Sequence, residues 1–192
     1  MNVVPGSFAK CVGIKLGWEQ GYRLTEMPPR RLKTASGNPS AKHKTQGGKL
    51  YLVMREINRI ILHCSATREG QDVTTETIKN WHTLDRGWSD IGYHYVIRLD
   101  GCLEAGRPIV RPGAHCKGMN EDSIGVCYIG GVELDGETPK DTMTPEQEDT
   151  FRELVQSLRV VWTNHLTLHG HNEFSDKACP SFKVNEKFAD IL

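Results

Sequence analysis

Short apolar runs bounded by polar residues recur along the chain from residue 57 onward. Residues 57–63 are rich in β-branched side chains and predict a central strand. Residues 91–97 alternate between apolar and polar positions, which predicts a strand with Tyr93 and Tyr95 on the same face. Asp100-Gly101 then predicts a hairpin turn. The remaining predicted strands are residues 102–105, 123–129 and 166–169.

Two segments have clear helical signals, and residues 183–191 are expected to form a short closing helix. Thr74 is a suitable cap for a first helix, in which Ile78 and Trp81 point inward and His82 is expected on the surface. The second helix begins at Thr144-Pro145-Glu146-Gln147, which combines a Thr cap, a Pro in the first turn and a Gln three residues after the cap. The order of strands and helices predicts an α/β fold, a single domain with a central mixed β-sheet flanked by helices.

Composition divides the chain near residue 54. Residues 1–53 hold nine Lys/Arg and two Asp/Glu, with many Gly, Pro and Ser, so we expect a basic and disordered leader. A basic arm that binds anionic polymers is an alternative, as is an over-extended reading frame in which Met54 is the true start. Residues 54–192 then form the working domain, and the zero net charge of the whole chain argues against a nucleic-acid partner.

The start of the chain lacks the features of a signal peptide, and no apolar run approaches membrane-spanning length. We therefore expect a protein made in the cytoplasm with no membrane association. A monomer is expected as well. Six cysteines in 192 residues are too sparse for a disulfide scaffold, and no CxxC pair is present.

Candidate metal chemistry lies in the last thirty residues. His171 and Cys179 are separated by a polar, loop-like segment, and imidazole nitrogen and thiolate sulfur are ligands that Zn²⁺ prefers. A third ligand is available in His63, at the end of the first predicted strand. Two ligands alone prove little, and a lone histidine at a strand end is more often structural. His169, two residues before His171, is a competing candidate.

Five motifs in order resemble the zinc N-acetylmuramoyl-L-alanine amidases of the amidase-2 family, most closely the phage-lysozyme type, which are related to peptidoglycan recognition proteins. They are His63-Cys64-Ser65-Ala66-Thr67, Gly92-Tyr93-His94-Tyr95, Gly113-Ala114-His115-Cys116-Lys117-Gly118, Ser123-Ile124-Gly125-Val126, and His171 with Lys177-Ala178-Cys179-Pro180. The resemblance runs from about residue 57 to about residue 188. It implies hydrolysis of the amide between the lactyl group of N-acetylmuramic acid and L-alanine in peptidoglycan or muropeptides.

The resemblance also implies roles for individual residues. One zinc ion is held by His63, His171 and Cys179, with a fourth position open for water, and His169 is not a ligand. The expected catalytic residues are Tyr93 and Lys177. The expected substrate contacts are His115 and Asn120.

Three other functions compete with this one. A non-catalytic peptidoglycan-binding module shares the fold but has usually lost a zinc ligand, so the presence of Cys179 argues against it. A protein whose main role is to bind a polymerase is a second alternative. A thiol hydrolase that uses Cys179 with a histidine is the third, and it would survive metal chelation. Without a signal peptide, the enzyme would reach the wall only after lysis or through another export route.

Overall fold

A computed structural model describes residues 55–162 and 166–192, together with the backbone of two short strands before them. These two, β1 (His43–Gln46) and β2 (Lys49–Leu52), pair antiparallel as a hairpin in a unit of their own. The rest of the predicted leader lies outside the described residues.

A five-stranded mixed sheet forms the centre of the second unit, in the order β6-β5-β7-β3-β9. Strand β3 is parallel to both β7 and β9, β5 is parallel to β7, and only β6 is antiparallel to its neighbour. A separate parallel pair joins β4 to β8. The bounds are β3 Arg59–Cys64, β4 Thr67–Arg68, β5 Tyr95–Ile97, β6 Leu103–Ala105, β7 Ser123–Tyr128, β8 Gly131–Val132 and β9 Thr167–Gly170.

Within residues 55–162 and 166–192, three α-helices accompany the sheet. Helix α1 (Thr75–Asn80) continues into a π-helical turn, α2 (Pro145–Val161) is the longest, and α3 (Val184–Lys187) lies near the end of the chain. Thr144 and Gln147 make the predicted capping box of α2, in which each side chain bonds to the other residue's backbone N–H. In the described part of the chain, no helix is long and apolar enough to cross a membrane. The predicted α/β fold with a central mixed sheet is confirmed.

The sheet separates two apolar clusters. The larger one packs α2 and α3 against one face and includes Phe151, Phe188 and Tyr128, all fully buried. The smaller one lies on the other face beside α1 and joins Ile78 to Val96. Side chains alternate along β3, so Ile60, Leu62 and Cys64 enter the larger cluster and His63 points to the opposite face.

Two details of the sequence interpretation are wrong. Tyr93 packs with the smaller cluster and Tyr95 with the larger one, so they do not share a face. The strand begins only at Tyr95, because the carbonyl of Tyr93 accepts the N–H of Arg107 in a neighbouring loop. His82 is buried rather than on the surface, and its Nδ1 accepts the N–H of Gly92 at 3.0 Å.

Candidate metal centre

His63, His171 and Cys179 converge at the carboxyl end of two adjacent parallel strands. His63 is the next-to-last residue of β3, and His171 follows directly after β9 in a 3₁₀ turn. Cys179 comes from the loop that follows. Their candidate ligand atoms all lie within 4.8 Å of one another. We call these three residues the candidate metal centre.

The spacing of the donors fits a zinc ion. The Sγ of Cys179 is 3.7 Å from Nδ1 of His63. Ordinary Zn–N and Zn–S bonds at a tetrahedral angle would separate the two atoms by about 3.6 Å. The Cys64 side chain and burial raise the pKa of the Cys179 thiol. The backbone N–H of Cys64, 3.2 Å from the same sulfur, acts in the opposite direction and favours the thiolate form that binds metals. Three protein donors leave one of four positions open, as in catalytic zinc sites.

His63 is enclosed by other rings. Its ring centroid lies 4.5 Å from that of His171, 5.0 Å from that of His115 and 5.1 Å from that of Tyr93. Burial lowers the pKa of His63 well below its ordinary value, and positive charge at His115, His171 and Lys177 acts in the same direction. Burial and Lys177 also lower the pKa of His171. Both histidines are therefore neutral near pH 7, which is the form that coordinates a metal.

The two predicted catalytic residues differ in their exposure to solvent. Tyr93 is half-buried beside His63, and burial raises its pKa well above the usual value for a phenol. Lys177 is exposed on the loop between His171 and Cys179. Its ammonium is close enough to act on the pKa of both His63 and His171.

The loop of residues 106–122 brings His115 to the centre. Nδ1 of His115 is 3.0 Å from Nε2 of His63, and its Nε2 is 3.2 Å from Oγ of Ser123. Oδ1 of Asn120 accepts the backbone N–H groups of His115 at 2.9 Å and Cys116 at 3.0 Å. The substrate contacts expected for His115 and Asn120 stay predictions; both ring nitrogens of His115 already have protein partners.

Two arginines and a buried histidine that the sequence did not single out hold this loop in place. Arg55 donates to the carbonyls of Ile109, Asn120, Glu121 and Ser123. Arg107 donates to those of Asp90, Ile91 and Pro112. His94 accepts the N–H of Gly125 at Nδ1 and lies 3.0 Å from the carbonyl oxygen of Arg111 at Nε2, and burial lowers its pKa to about 4. Their partners come from distant segments, so no local signal could have identified them.

His169, which was expected not to be a ligand, has polar partners outside the candidate metal centre, and its exclusion stays a prediction. Its Nδ1 is 2.7 Å from a carboxylate oxygen of Glu173, and its Nε2 is 2.9 Å from the hydroxyl of Thr167. Both ring nitrogens of His169 are therefore engaged with residues of β9 and the turn that follows it.

Comparison with known proteins gives consistent results. Residues 53–182 match the Amidase_2 family, described as N-acetylmuramoyl-L-alanine amidase. An endolysin of Klebsiella phage KP32 is 43% identical over 130 residues, which cover 68% of this chain and 84% of that protein. Among solved structures, the N-acetylmuramoyl-L-alanine amidase LysC from Clostridium intestinale superposes with a TM-score of 0.57 at 28% identity, over 70% of this chain and 87% of that one.

A further solved structure shares the fold. It holds the ectodomains of peptidoglycan recognition proteins LCa and LCx bound to tracheal cytotoxin, with a TM-score of 0.56 and 24% identity. The match covers 73% of this chain and 80% of that chain.

Proposed function

This chain belongs to the N-acetylmuramoyl-L-alanine amidase family, and on that premise we propose that it cleaves the lactyl–alanine amide of peptidoglycan with one zinc ion held by His63, His171 and Cys179. The observation that carries the zinc proposal is the convergence of two imidazoles and one thiol within 4.8 Å at the end of parallel strands. Zinc in such a site supplies a water that is activated near neutral pH and polarises the amide carbonyl.

The protein's own residues complete the reaction. A tyrosine is protonated at neutral pH, so the hydroxyl of Tyr93 is a hydrogen-bond donor beside His63. We assign it to orienting the attacking water or to protonating the amine of L-alanine as that amine leaves. The Lys177 ammonium places positive charge where the carbonyl oxygen becomes negative, which stabilises the transition state. The effect of Lys177 on the pKa of both histidines supports this placement.

The substrate proposal follows from the relatives. The KP32 protein is named an endolysin and the LysC protein an N-acetylmuramoyl-L-alanine amidase. We therefore assign intact peptidoglycan, reached when the host cell lyses, as the substrate of this chain. Soluble muropeptides are the alternative, and comparing cleavage rates on the two substrates tests this choice.

The testing experiment measures new L-alanine amino termini released from purified peptidoglycan, with chelator and then with added zinc. Release that stops with chelator and returns with zinc is the expected result. Release that continues after the metal has been removed, as shown by elemental analysis, contradicts the zinc mechanism and favours a thiol hydrolase. Binding to peptidoglycan without release favours a recognition module.

Paired variants assign the residues. His171→Ala should abolish zinc binding and release, whereas His169→Ala should retain both, because the two ring nitrogens of His169 are already paired with Glu173 and Thr167. Tyr93→Phe should lower kcat by about 10²- to 10⁴-fold, as expected for loss of a group that orients or transfers a proton. As a control, Tyr95→Phe removes a phenol hydroxyl on the other face of the sheet and should leave kcat unchanged.

A further inference from the structure

A chain of hydrogen bonds runs from the candidate metal centre into strand β7. The hydroxyl of Ser123 donates to the carbonyl of Met119 at 2.5 Å. With its proton committed there, Oγ of Ser123 can only accept from Nε2–H of His115, 3.2 Å away. Nδ1 of His115 then carries a lone pair, and it accepts Nε2–H of His63 at 3.0 Å. The tautomers are assigned from this network.

The consequence falls on His63. When its Nε2 carries the proton, its Nδ1 carries the lone pair, and this is the nitrogen 3.7 Å from the sulfur of Cys179. We propose that His115, anchored by Ser123, is a positioning residue that fixes the tautomer and ring orientation of the metal ligand His63. This proposal rests on the zinc centre proposed above. Partners of this kind are a general requirement of metal-binding histidines, although the usual acceptor is a carboxylate or a carbonyl.

Two glycines make room for the ring of His115. A Cβ added at Gly113 would lie 2.4 Å from Cδ2 of His115, and one added at Gly125 would lie 2.5 Å from both Cδ2 and Cγ. These distances are shorter than any ordinary contact, so both positions require a residue without a side chain while the ring stays in place. Because Gly125 lies on β7 and Gly113 on the loop, the ring of His115 is seated between two separate segments.

The position of the loop is itself fixed. Arg55 donates hydrogen bonds to the backbone carbonyls of Asn120, at the end of the loop, and Ser123, at the start of β7. Oδ1 of Asn120 holds the backbone N–H of His115. A ring that must hold a metal ligand in one orientation needs such support, whereas a side chain that only contacts substrate would not need both of its nitrogens bonded inside the protein.

Two substitutions at His115 separate the two ends of the relay. In His115→Asn, the side-chain carbonyl oxygen takes the place of Nδ1 and can still accept from His63. In His115→Gln, the amide group takes the place of Nε2 and reaches Ser123, but the acceptor for His63 is lost. Ser123→Ala removes the anchor, together with the hydrogen bond from its hydroxyl to the carbonyl of Met119. His169→Asn is the matched control, since it changes a nearby histidine outside the relay.

The experiment measures zinc affinity of the full chain by competition with a chromophoric chelator, without substrate. The absorption spectrum of the cobalt(II)-substituted protein then reports the ligand geometry. We expect His115→Gln to weaken zinc binding by about 10- to 100-fold and to alter the cobalt spectrum. His115→Asn should stay close to the parent protein, Ser123→Ala should fall between them, and His169→Asn should match the parent.

The outcomes separate the two proposals. If the parent binds zinc and His115→Gln binds it equally well, the relay is wrong and the zinc centre stands. Equal weakening by His115→Asn and His115→Gln also overturns the relay, because only the loss of the ring would then matter. If the parent binds no zinc, the zinc centre itself is wrong and the relay falls with it. Should His115→Gln fail to fold, Ser123→Ala tests the same chain from its other end.

Discussion

One face of the five-stranded sheet is closed by apolar packing, and the other carries His63 of the candidate metal centre, whose Cys179 packs against the apolar cluster of the first face. On the first face, α2 and α3 bury large side chains such as Phe151 and Phe188. On the second face the apolar cluster is smaller, and buried histidines lie beside it, among them His63, His82 and His94. On the first face, buried apolar area stabilises the fold. On the second face, hydrogen bonds to the buried histidines also fix the orientation of their rings.

The largest expected effect lies on the apolar face. Phe151 is fully buried and its ring contacts that of Phe188 edge to face. Phe151→Ala should lower the free energy of unfolding by about 3 to 5 kcal/mol, through lost burial and a residual cavity. Zinc affinity of the folded protein should not change. Urea unfolding and chelator competition measure the two quantities.

Val160→Ala is the control for this comparison, because Val160 lies on the same helix but is 81% exposed. It should change the free energy of unfolding by less than about 0.5 kcal/mol. A large loss of zinc affinity in folded Phe151→Ala protein would mean that the two faces are not independent.

The second prediction uses the buried histidines. Burial, followed by the charges of Arg86 and Arg107, lowers the pKa of His82 to about 4 from an ordinary value of 6.5. As the pH falls, His82 takes up a proton in the unfolded chain before it does so in the folded protein. The stabilising contribution of neutral His82 is therefore complete above pH 6.5, decreases between pH 6.5 and pH 4, and changes no further below pH 4. Over this range, one such histidine lowers the free energy of unfolding by about 2 to 3 kcal/mol.

His82→Asn isolates that contribution. The amide oxygen of Asn can replace Nδ1 as acceptor for the N–H of Gly92, and the variant has one fewer buried base. The loss of stability between pH 7 and pH 4.5 should therefore be smaller than in the parent protein by about 2 kcal/mol. Val160→Ala changes no titratable group, so it is the comparison variant and should keep the parent's pH dependence. An unchanged pH dependence in His82→Asn would contradict the lowered pKa.

The third prediction concerns the seat of His115. Gly125→Ala places a methyl group against the imidazole ring, and we expect it to lower the free energy of unfolding by about 1 to 3 kcal/mol through overpacking. It should also weaken zinc binding, because the displaced ring no longer faces His63. Adding His115→Ala to Gly125→Ala should restore much of the stability but not the zinc affinity. Recovery of both would show that the ring only fills space.

Sequence periodicity predicted the elements that are defined by their own residues. The strand that carries His63, the capping box of α2 and the hairpin at Gly101 depend on local pattern and turn chemistry. The candidate ligands could be named because residue type and motif order carry that information. The structure supplies what these could not, the convergence of side chains from two strands and a loop.

The errors have a common physical cause. His82 was expected on the surface because a histidine beside an inward-facing tryptophan normally faces water. Its burial depends on an N–H from Gly92, ten residues away. Tyr93 does not lie on the predicted face, because its carbonyl accepts a hydrogen bond from a loop residue rather than from a neighbouring strand. Polar partners from separate segments decided both positions, and hydrophobic spacing contains no record of such partners.

The smallest expected effect comes from the cap at the start of α2. It tests whether this cap affects stability alone or zinc affinity as well. The hydroxyl of Thr144 accepts the N–H of Gln147 at 3.1 Å and lies 2.9 Å from the carbonyl oxygen of Leu99. Thr144→Ala should lower the free energy of unfolding by about 1 kcal/mol through loss of the cap. Thr144→Ser keeps the hydroxyl and should remain close to the parent protein.

Gln147 gives this last comparison its meaning. It is fully buried, and its side-chain N–H groups donate to the carbonyls of Ile97, the last residue of β5, and Ile129, the residue that follows β7. The cap therefore reaches the same strand, β7, that carries Ser123 and Gly125 at its other end. If stability and zinc affinity are independent, Thr144→Ala lowers the free energy of unfolding and leaves the zinc affinity measured by chelator competition unchanged. A shift in both would show that β7 transmits displacement along its length to the seat of His115.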